Sequence, residues 1–416
     1  VPLERDFVLL LAAQFTSQAA DGIAQAAFAD VLVLEPLGER TPARILAVFA
    51  LTLLPYSLIS PWLGVVVDRW RRRSLLVVSA LLRAVLLFSL PLWSPLLPGD
   101  AGLYVAVLAL LGLGRLWLTT KSAVLPGLLH ERHLLGGNSI SSGGGMISAL
   151  GGGVAGIALA ATLGSTSALV AAGAVYLLSS LVARLISSDP LPVHAGRSGL
   201  AVEIAKLRLE LGAGLREVWR RRAVRLSLMG IFLLRAVVMF VAVIAILAIN
   251  NEFPDATDRF GRLSAGAVAL GAVGAGALLG ALFTPALGRR LSRAALLLVG
   301  FVVAAIALLS LGAIGTLSSI LALMFVGGFG AFVAKVAVDA EVQEGLQDVY
   351  RGRAFSLYDI LYNIASVVAA GAVVALGASG DPRGPLLLAG VAALVMGAGL
   401  GVALNRAGML QQLPSG

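Results

Sequence analysis

The chain has 416 residues, of which 59% are hydrophobic and 13% charged, with a formal net charge of +9 and a mean hydropathy of +0.95. A water-soluble protein of this size carries about a quarter of its residues as charges, so most of this surface must face lipid. Cysteine is absent and His130, His133 and His194 are the only histidines, which excludes disulfides and thiolate metal sites, leaves little for haem, zinc or histidine acid–base chemistry, and predicts no cofactor.

Apolar segments near the roughly 20 residues that a hydrocarbon core requires begin near Phe7, Thr41, Ser74, Ala101, Ser139 and Ser167. Six more begin near Leu226, Leu263, Ala294, Ser318, Ala354 and Pro385. The pattern predicts an all-α membrane protein with about twelve transmembrane helices. No basic region precedes the first apolar segment, so that segment is expected to remain as a span rather than act as a signal peptide. The division of 139–186 into two spans rests on the weak polar break Gly164-Ser165-Thr166. One long polar interval follows. It holds the breaker Asp189-Pro190-Leu191-Pro192 and then an amphipathic stretch with Lys206, Arg208, Arg216, Arg220, Arg221 and Arg222, as an interfacial helix would. The expected organisation is an N-terminal six-helix bundle over 1–187, a linker with an amphipathic helix over 188–225, and a C-terminal six-helix bundle over 226–416. That division suggests a duplicated unit.

Lys and Arg crowd alternate loops: Arg69 and Arg71 to 73, Arg132, the central run, Arg289, Arg290 and Arg293, then Arg351 and Arg353. The opposite loops carry Glu35, Glu39, Glu252, Asp255 and Asp258 beside a few arginines. The bias in basic residues orients a multi-pass protein, and here it places both termini in the cytoplasm; the basic surplus is read as topology, not as nucleic-acid binding. Glycine, at 49 residues, is expected mainly to let helix backbones approach closely in lipid.

Between the second and third segments the sequence reads Gly64-Val65-Val66-Val67-Asp68-Arg69-Trp70-Arg71-Arg72-Arg73. It resembles the loop signature of the major facilitator superfamily, G-x-x-x-D-R-x-x-R-R. Gly64, Asp68, Arg69, Arg72 and Arg73 match, and Trp70-Arg71 stand where an aromatic residue and glycine are commoner. The resemblance implies a cytoplasmic gate in which Asp68 faces a helix N-terminus and the arginines pair with acids such as Glu131. Three further stretches are similar to the multidrug (macrolide) exporter and lysophospholipid transporter branch of that family: Ala13-Gln14-Phe15 through Asp21-Gly22, Lys121 through Pro126 with Asn138-Ser139, and Gln343 through Ser356. The antiporter signature G-P-x-x-G-G is reduced here to Gly152-Gly153-Val154-Ala155-Gly156, without the proline. The branch implies two six-helix bundles and alternating access, a monomer among membrane lipids, and a bacterial plasma membrane.

Ionisable residues at membrane depth cost about 2.5 kcal/mol or more on insertion scales, so each needs a partner, a cavity or a function. Asp21 falls in the first segment, Arg115 and Lys121 in the fourth, Arg235 in the seventh, and Lys335 with Asp339 in the tenth. The resemblance implies that these helices line a central cavity, which makes the six residues the candidate substrate or proton site. Asp21, with no basic residue four positions on, is the leading candidate for protonation; Arg115 or Arg235 is its expected counter-charge. Lys335 and Asp339, at i, i+4, are candidates to neutralise each other. Arg83, Asp359 and Asn363 rank second. The bases outnumber the acids, which suits an anionic or zwitterionic head group.

A membrane-embedded enzyme would need reactive side chains converging at one depth, and no H-E-x-x-H, G-x-S-x-G or P-loop occurs. A static pore has no use for two halves and a gate. The expectation is a secondary active transporter of a small amphipathic substrate by alternating access, either proton-coupled efflux of drug-like molecules or lipid and lysophospholipid transport.

Overall fold

The computed structural model describes residues 5–29, 31–32, 41–59, 67, 70–129, 134–187, 209, 212–253, 265–378 and 381–411. Among them the α-helices are α1 Arg5–Ala29, α2 Pro42–Ile59, α3 Arg72–Trp93, α4 Ala101–Val124, α5 Leu134–Leu163, α6 Ser165–Arg184, α7 Arg222–Asn251, α8 Ala265–Gly288, α9 Arg293–Ile314, α10 Leu317–Gly345, α11 Asp348–Ala375 and α12 Arg383–Arg406. They run from 18 residues in α2 to 30 in α5 and α7. At 1.5 Å per residue that is about 27 to 45 Å, against a hydrocarbon core of about 30 Å. Eleven helices among the described residues are long and apolar enough to cross a membrane, and α2 is the twelfth helix.

The outward faces show which solvent the chain is built for. Val154, Leu282, Ile306 and Val395 are each more than 60% exposed, a pattern that water would penalise across so many helices. The break between α5 and α6 is a single residue, Gly164, at φ 84°. A side chain is strained in that region of φ, so the turn depends on glycine more than on the polar residues after it. Gly315, at φ 65°, ends α9, and Thr316 caps α10 through a reciprocal bond with Ser319.

The described residues fall into two compact units, one within Val1–Glu35 and Leu58–Ile204, the other within Pro36–Ser57 and Ala205–Gly416. In the first, α1 packs chiefly on α5 and α6, and α3 on α4 and α6. Glycine makes the α1–α5 contact possible: a Cβ on Gly22 would collide with the Ala149 carbonyl, and one on Gly152 with the Ala19 carbonyl. The core forms two apolar clusters along the helices, one around Phe7, Leu10, Leu76 and Trp117, the other around Ile23, Phe28, Leu87 and Leu169.

In the second unit α10 packs on α8 and α9, α9 on α12, and α7 on α11 and α10. Gly276 and Gly328 admit the α8–α10 approach, each facing a carbonyl of the other helix. Most of α2 groups with this unit, because Ile45 is buried among Val237, Phe240, Ile244, Val373 and Leu386. The helical stretch 212–220 turns Val218 into the core and leaves Leu215 and Trp219 exposed beside Arg216 and Arg220.

Candidate functional site

Each unit carries a polar level between its apolar clusters. In the first, α1 places Ser17 and Asp21 on one face and α3 places Ser79 and Arg83 on one face, since residues four apart align on a helix. The Arg83 side chain is fully buried and Asp21 is 22% exposed. Arg83 Nη1 donates to Asp21 Oδ1 at 2.9 Å, Nη2 to Ser17 Oγ at 2.8 Å, and Nε to the Ser79 carbonyl at 3.4 Å. Tyr176 of α6 donates its hydroxyl to the same Asp21 oxygen at 2.6 Å, and its ring lies 4.4 Å from the guanidinium carbon. The cation therefore has an anion, two neutral acceptors and an aromatic face, the satisfaction a buried charge requires. Tyr176→Phe removes a bond to a charged acceptor and should cost about 1.5–3 kcal/mol of stability, read as a lower midpoint in chemical unfolding; a change below about 0.5 kcal/mol would show that the hydroxyl contributes nothing.

The partner of Asp21 differs from the expected Arg115 or Arg235. At α4 the pair meets Gly114, whose Cβ, if present, would lie 3.6 Å from Arg83 Nη1 and 3.8 Å from Asp21 Oδ1. One residue on, a helix has turned about 100°, which carries Arg115 off that face. Nearer the start of α1 Lys121 enters a network of neutral side chains: Lys121 Nζ donates to Ser141 Oγ at 2.9 Å, Ser141 Oγ to Gln14 Oε1 at 2.6 Å, and Gln14 Nε2 to the Ser141 carbonyl at 2.7 Å and Gln18 Oε1 at 2.8 Å. Lys121 is thus buried and bonded.

In the second unit Arg235 of α7 donates to Ser366 Oγ at 3.3 Å, and its guanidinium lies 4.2 Å from the Tyr362 ring centroid. Lys335 and Asp339 form the ion pair that their spacing allows, at 2.5 Å, and Lys335 lies 5.7 Å from the Tyr358 ring. The Tyr358 and Tyr362 rings are themselves 5.7 Å apart, so both cations stand at one level. Asp339 Oδ1 and Tyr358 Oη are buried without a hydrogen-bond partner among the described residues. A cavity of about 220 Å³ opens beside Arg235, Lys335 and Tyr362 and is otherwise walled by apolar residues and glycine of α7, α8, α9 and α10. Asp359 and Asn363 are half-buried on α11 and have contacts of their own.

Of the gate residues, Gly64, Asp68, Arg69 and Glu131 lie outside the described residues. Arg72 Nη1 donates to the Ala123 carbonyl at 2.8 Å and Arg73 Nη2 to the Arg184 carbonyl at 2.5 Å. Both cations thus stand at helix C-termini, α4 and α6, where the backbone dipole is negative.

Ser17, Ser79, Tyr176, Gln14 and Ser141 escaped the reading of charges alone, as did Tyr358, Tyr362 and Ser366. A signal was present for five of the eight: Ser17–Asp21 and Ser79–Arg83 at i, i+4, and Tyr358–Tyr362–Ser366 at i, i+4, i+8.

The model of the Major Facilitator Superfamily matches residues 10–370. The chain belongs to the major facilitator superfamily. Uncharacterized MFS-type transporters of Mycobacterium bovis and Mycobacterium tuberculosis are each 28% identical over 383 residues, covering 89% of this chain and 85% of theirs. Among solved structures, the peptide transporter POT matches with TM-score 0.73 at 15% identity over 97% of this chain and 95% of that one. The nucleoside transporter NupG matches with TM-score 0.70 at 14% identity over 96% and 99%. These likenesses show the fold. This superfamily member is a multi-pass membrane protein of the secondary-transporter fold, and its family and relatives are transporters rather than enzymes.

Proposed function

We propose that the protein is a secondary active transporter of small amphipathic molecules with an acidic or zwitterionic head, driven by a proton gradient in a bacterial plasma membrane. The observation that carries this reading is the cavity of the second unit, with Arg235 and Lys335 at its edge and apolar walls elsewhere. With Lys335 shared with Asp339, Arg235 leaves a surplus of positive charge beside apolar surface, which favours an amphiphile bearing negative charge over a lipophilic cation. For the same reason lysophospholipid-like substrates suit this site better than cationic drugs, although both fit the exporter and lysophospholipid branch. Of the two acids at these polar levels, Asp21 and Asp339, Asp339 is the better placed to carry the proton. Asp21 Oδ1 already accepts from Arg83 and Tyr176, whereas Asp339 has one oxygen bound to Lys335 and, among the described residues, one without a partner.

Proteoliposomes with an imposed pH gradient should move labelled lysophosphatidylglycerol faster than protein-free vesicles, and a protonophore should slow that movement. Equal rates with and without protein would refute transport of acidic amphiphiles. Protein-dependent movement that ignores the protonophore would refute proton coupling alone.

A further inference from the structure

We propose that the cavity of the second unit houses the unbranched apolar tail of a single-chain amphiphile whose anionic head rests on Arg235 and Lys335. The inference deepens the transporter reading, on which its physiological purpose rests, but its evidence is the cavity itself.

Size comes first. Sites that enclose a whole small molecule measure about 300–1,000 Å³, and this cavity measures about 220 Å³. It fits part of a ligand. Shape says which part. Along α10 the lining runs from Leu323 to Lys335, a rise of about 18 Å of helix. An apolar wall of that length suits an extended chain laid along α10. The cavity's charged groups are at one level: Arg235 and Lys335 stand over the adjacent rings of Tyr362 and Tyr358. Away from that level the walls include Val241, Leu308 and Met324. Methionine is unbranched and adapts its shape to a flexible neighbour.

Charge says which head. Among the described residues the partners of Arg235 are the hydroxyl of Ser366 and the ring of Tyr362, both neutral. A cation kept at membrane depth without a carboxylate is costly, and a ligand anion would offset that cost. Lys335 already holds Asp339 and would contribute a shared charge. A fatty carboxylate and a lysophospholipid phosphate offer the same chemistry here: one chain and one terminal anion.

The test uses the full chain in nanodiscs of a zwitterionic lipid, because detergents are themselves single-chain competitors. Hexanoate, octanoate, decanoate and dodecanoate are titrated and read by thermal shift, which reports affinity through mass action. Affinity should tighten about fourfold per added methylene, the equivalent of about 0.8 kcal/mol each, and level off once the cavity is full. Decylammonium should give no such shift. Arg235→Gln should weaken decanoate binding tenfold or more. Gly327 lines the cavity, and a Cβ there would meet no atom within 4 Å. Gly327→Leu should therefore fold normally, fill the space and reduce dodecanoate to the affinity of hexanoate; Ala331→Leu, on the same helix wall, is the second plug if the first variant proves unstable. Affinity indifferent to chain length, decylammonium binding as well as decanoate, or undiminished dodecanoate binding by a folded plug variant would each overturn the proposal. Flux of lysophosphatidylglycerol is measured separately: chain-length-dependent binding without flux would sink the transporter reading and leave the site standing, while flux without such binding would do the reverse.

Discussion

Asp21→Ala should lower the free energy of unfolding by about 3–5 kcal/mol, the range for removing one partner of a buried ion pair. Adding Arg83→Leu should restore most of it. The asymmetry of burial gives this sign. Arg83 is fully enclosed, and without Asp21 it would keep hydroxyl and carbonyl acceptors but no anion. Arginine does not shed its proton, so the cation cannot escape by neutralising itself. Arg83→Leu alone leaves Asp21 behind, and Asp21 is partly exposed and retains the Tyr176 hydroxyl, so that variant should be milder than Asp21→Ala. A double-mutant cycle by chemical unfolding measures the coupling; additive single effects would mean that the pair contributes no coupling energy.

The same geometry separates two roles for Asp21. Asp21, Arg83, Tyr176 and Ser17 all belong to one compact unit. Motion of that unit as a body would leave their bonds intact, so the pair has no reason to open and load a proton during a transport cycle. The anchor role therefore predicts that Asp21→Asn loses pH-driven transport and substrate exchange together, in step with lost stability, and that a second substitution neutralising Arg83 recovers both. A proton carrier predicts a stable Asp21→Asn protein that still exchanges substrate but no longer concentrates it.

The architecture was legible because lipid imposes a simple rule: every backbone polar group must be satisfied within its own segment, so length and hydropathy suffice to place helices. That Asp21, Lys121, Arg235 and Lys335 fall within long apolar helices was legible for the same reason. Which charges meet was not, because that depends on helix rotation and neighbour choice. Asp21 has three conceivable basic partners by depth; Gly114 and the facing serines on α1 and α3 select Arg83. The Lys335–Asp339 pair was readable because both residues share one helix. The cavity was invisible in sequence, since its walls are the same Val, Ala, Leu and Gly that elsewhere close the core.

Three consecutive glycines on α5 should behave in opposite ways. A Cβ at Gly152 would collide with the Ala19 carbonyl, whereas one at Gly151 or Gly153 would meet nothing within 4 Å. Gly151→Ala and Gly153→Ala should each be neutral or stabilise the protein by about 0.4–1 kcal/mol, as expected where a compatible helical site gains a side chain. Gly152→Ala has to push α1 away from α5. Overpacking a core costs about 1–3 kcal/mol when side chains can shift; here the obstacle is backbone, which moves only if the helix moves. Gly152→Val should therefore exceed that range and deplete folded protein in the membrane. Gly22 and Gly156 meet the other helix on the same interface, so separation at Gly152 also loses their contacts, and lipid supplies no hydrophobic drive to bring the helices back. The comparison is of folded yield and thermal midpoint across the three adjacent positions. Equal tolerance at all three would mean that the α1–α5 approach is not as close as its glycines require.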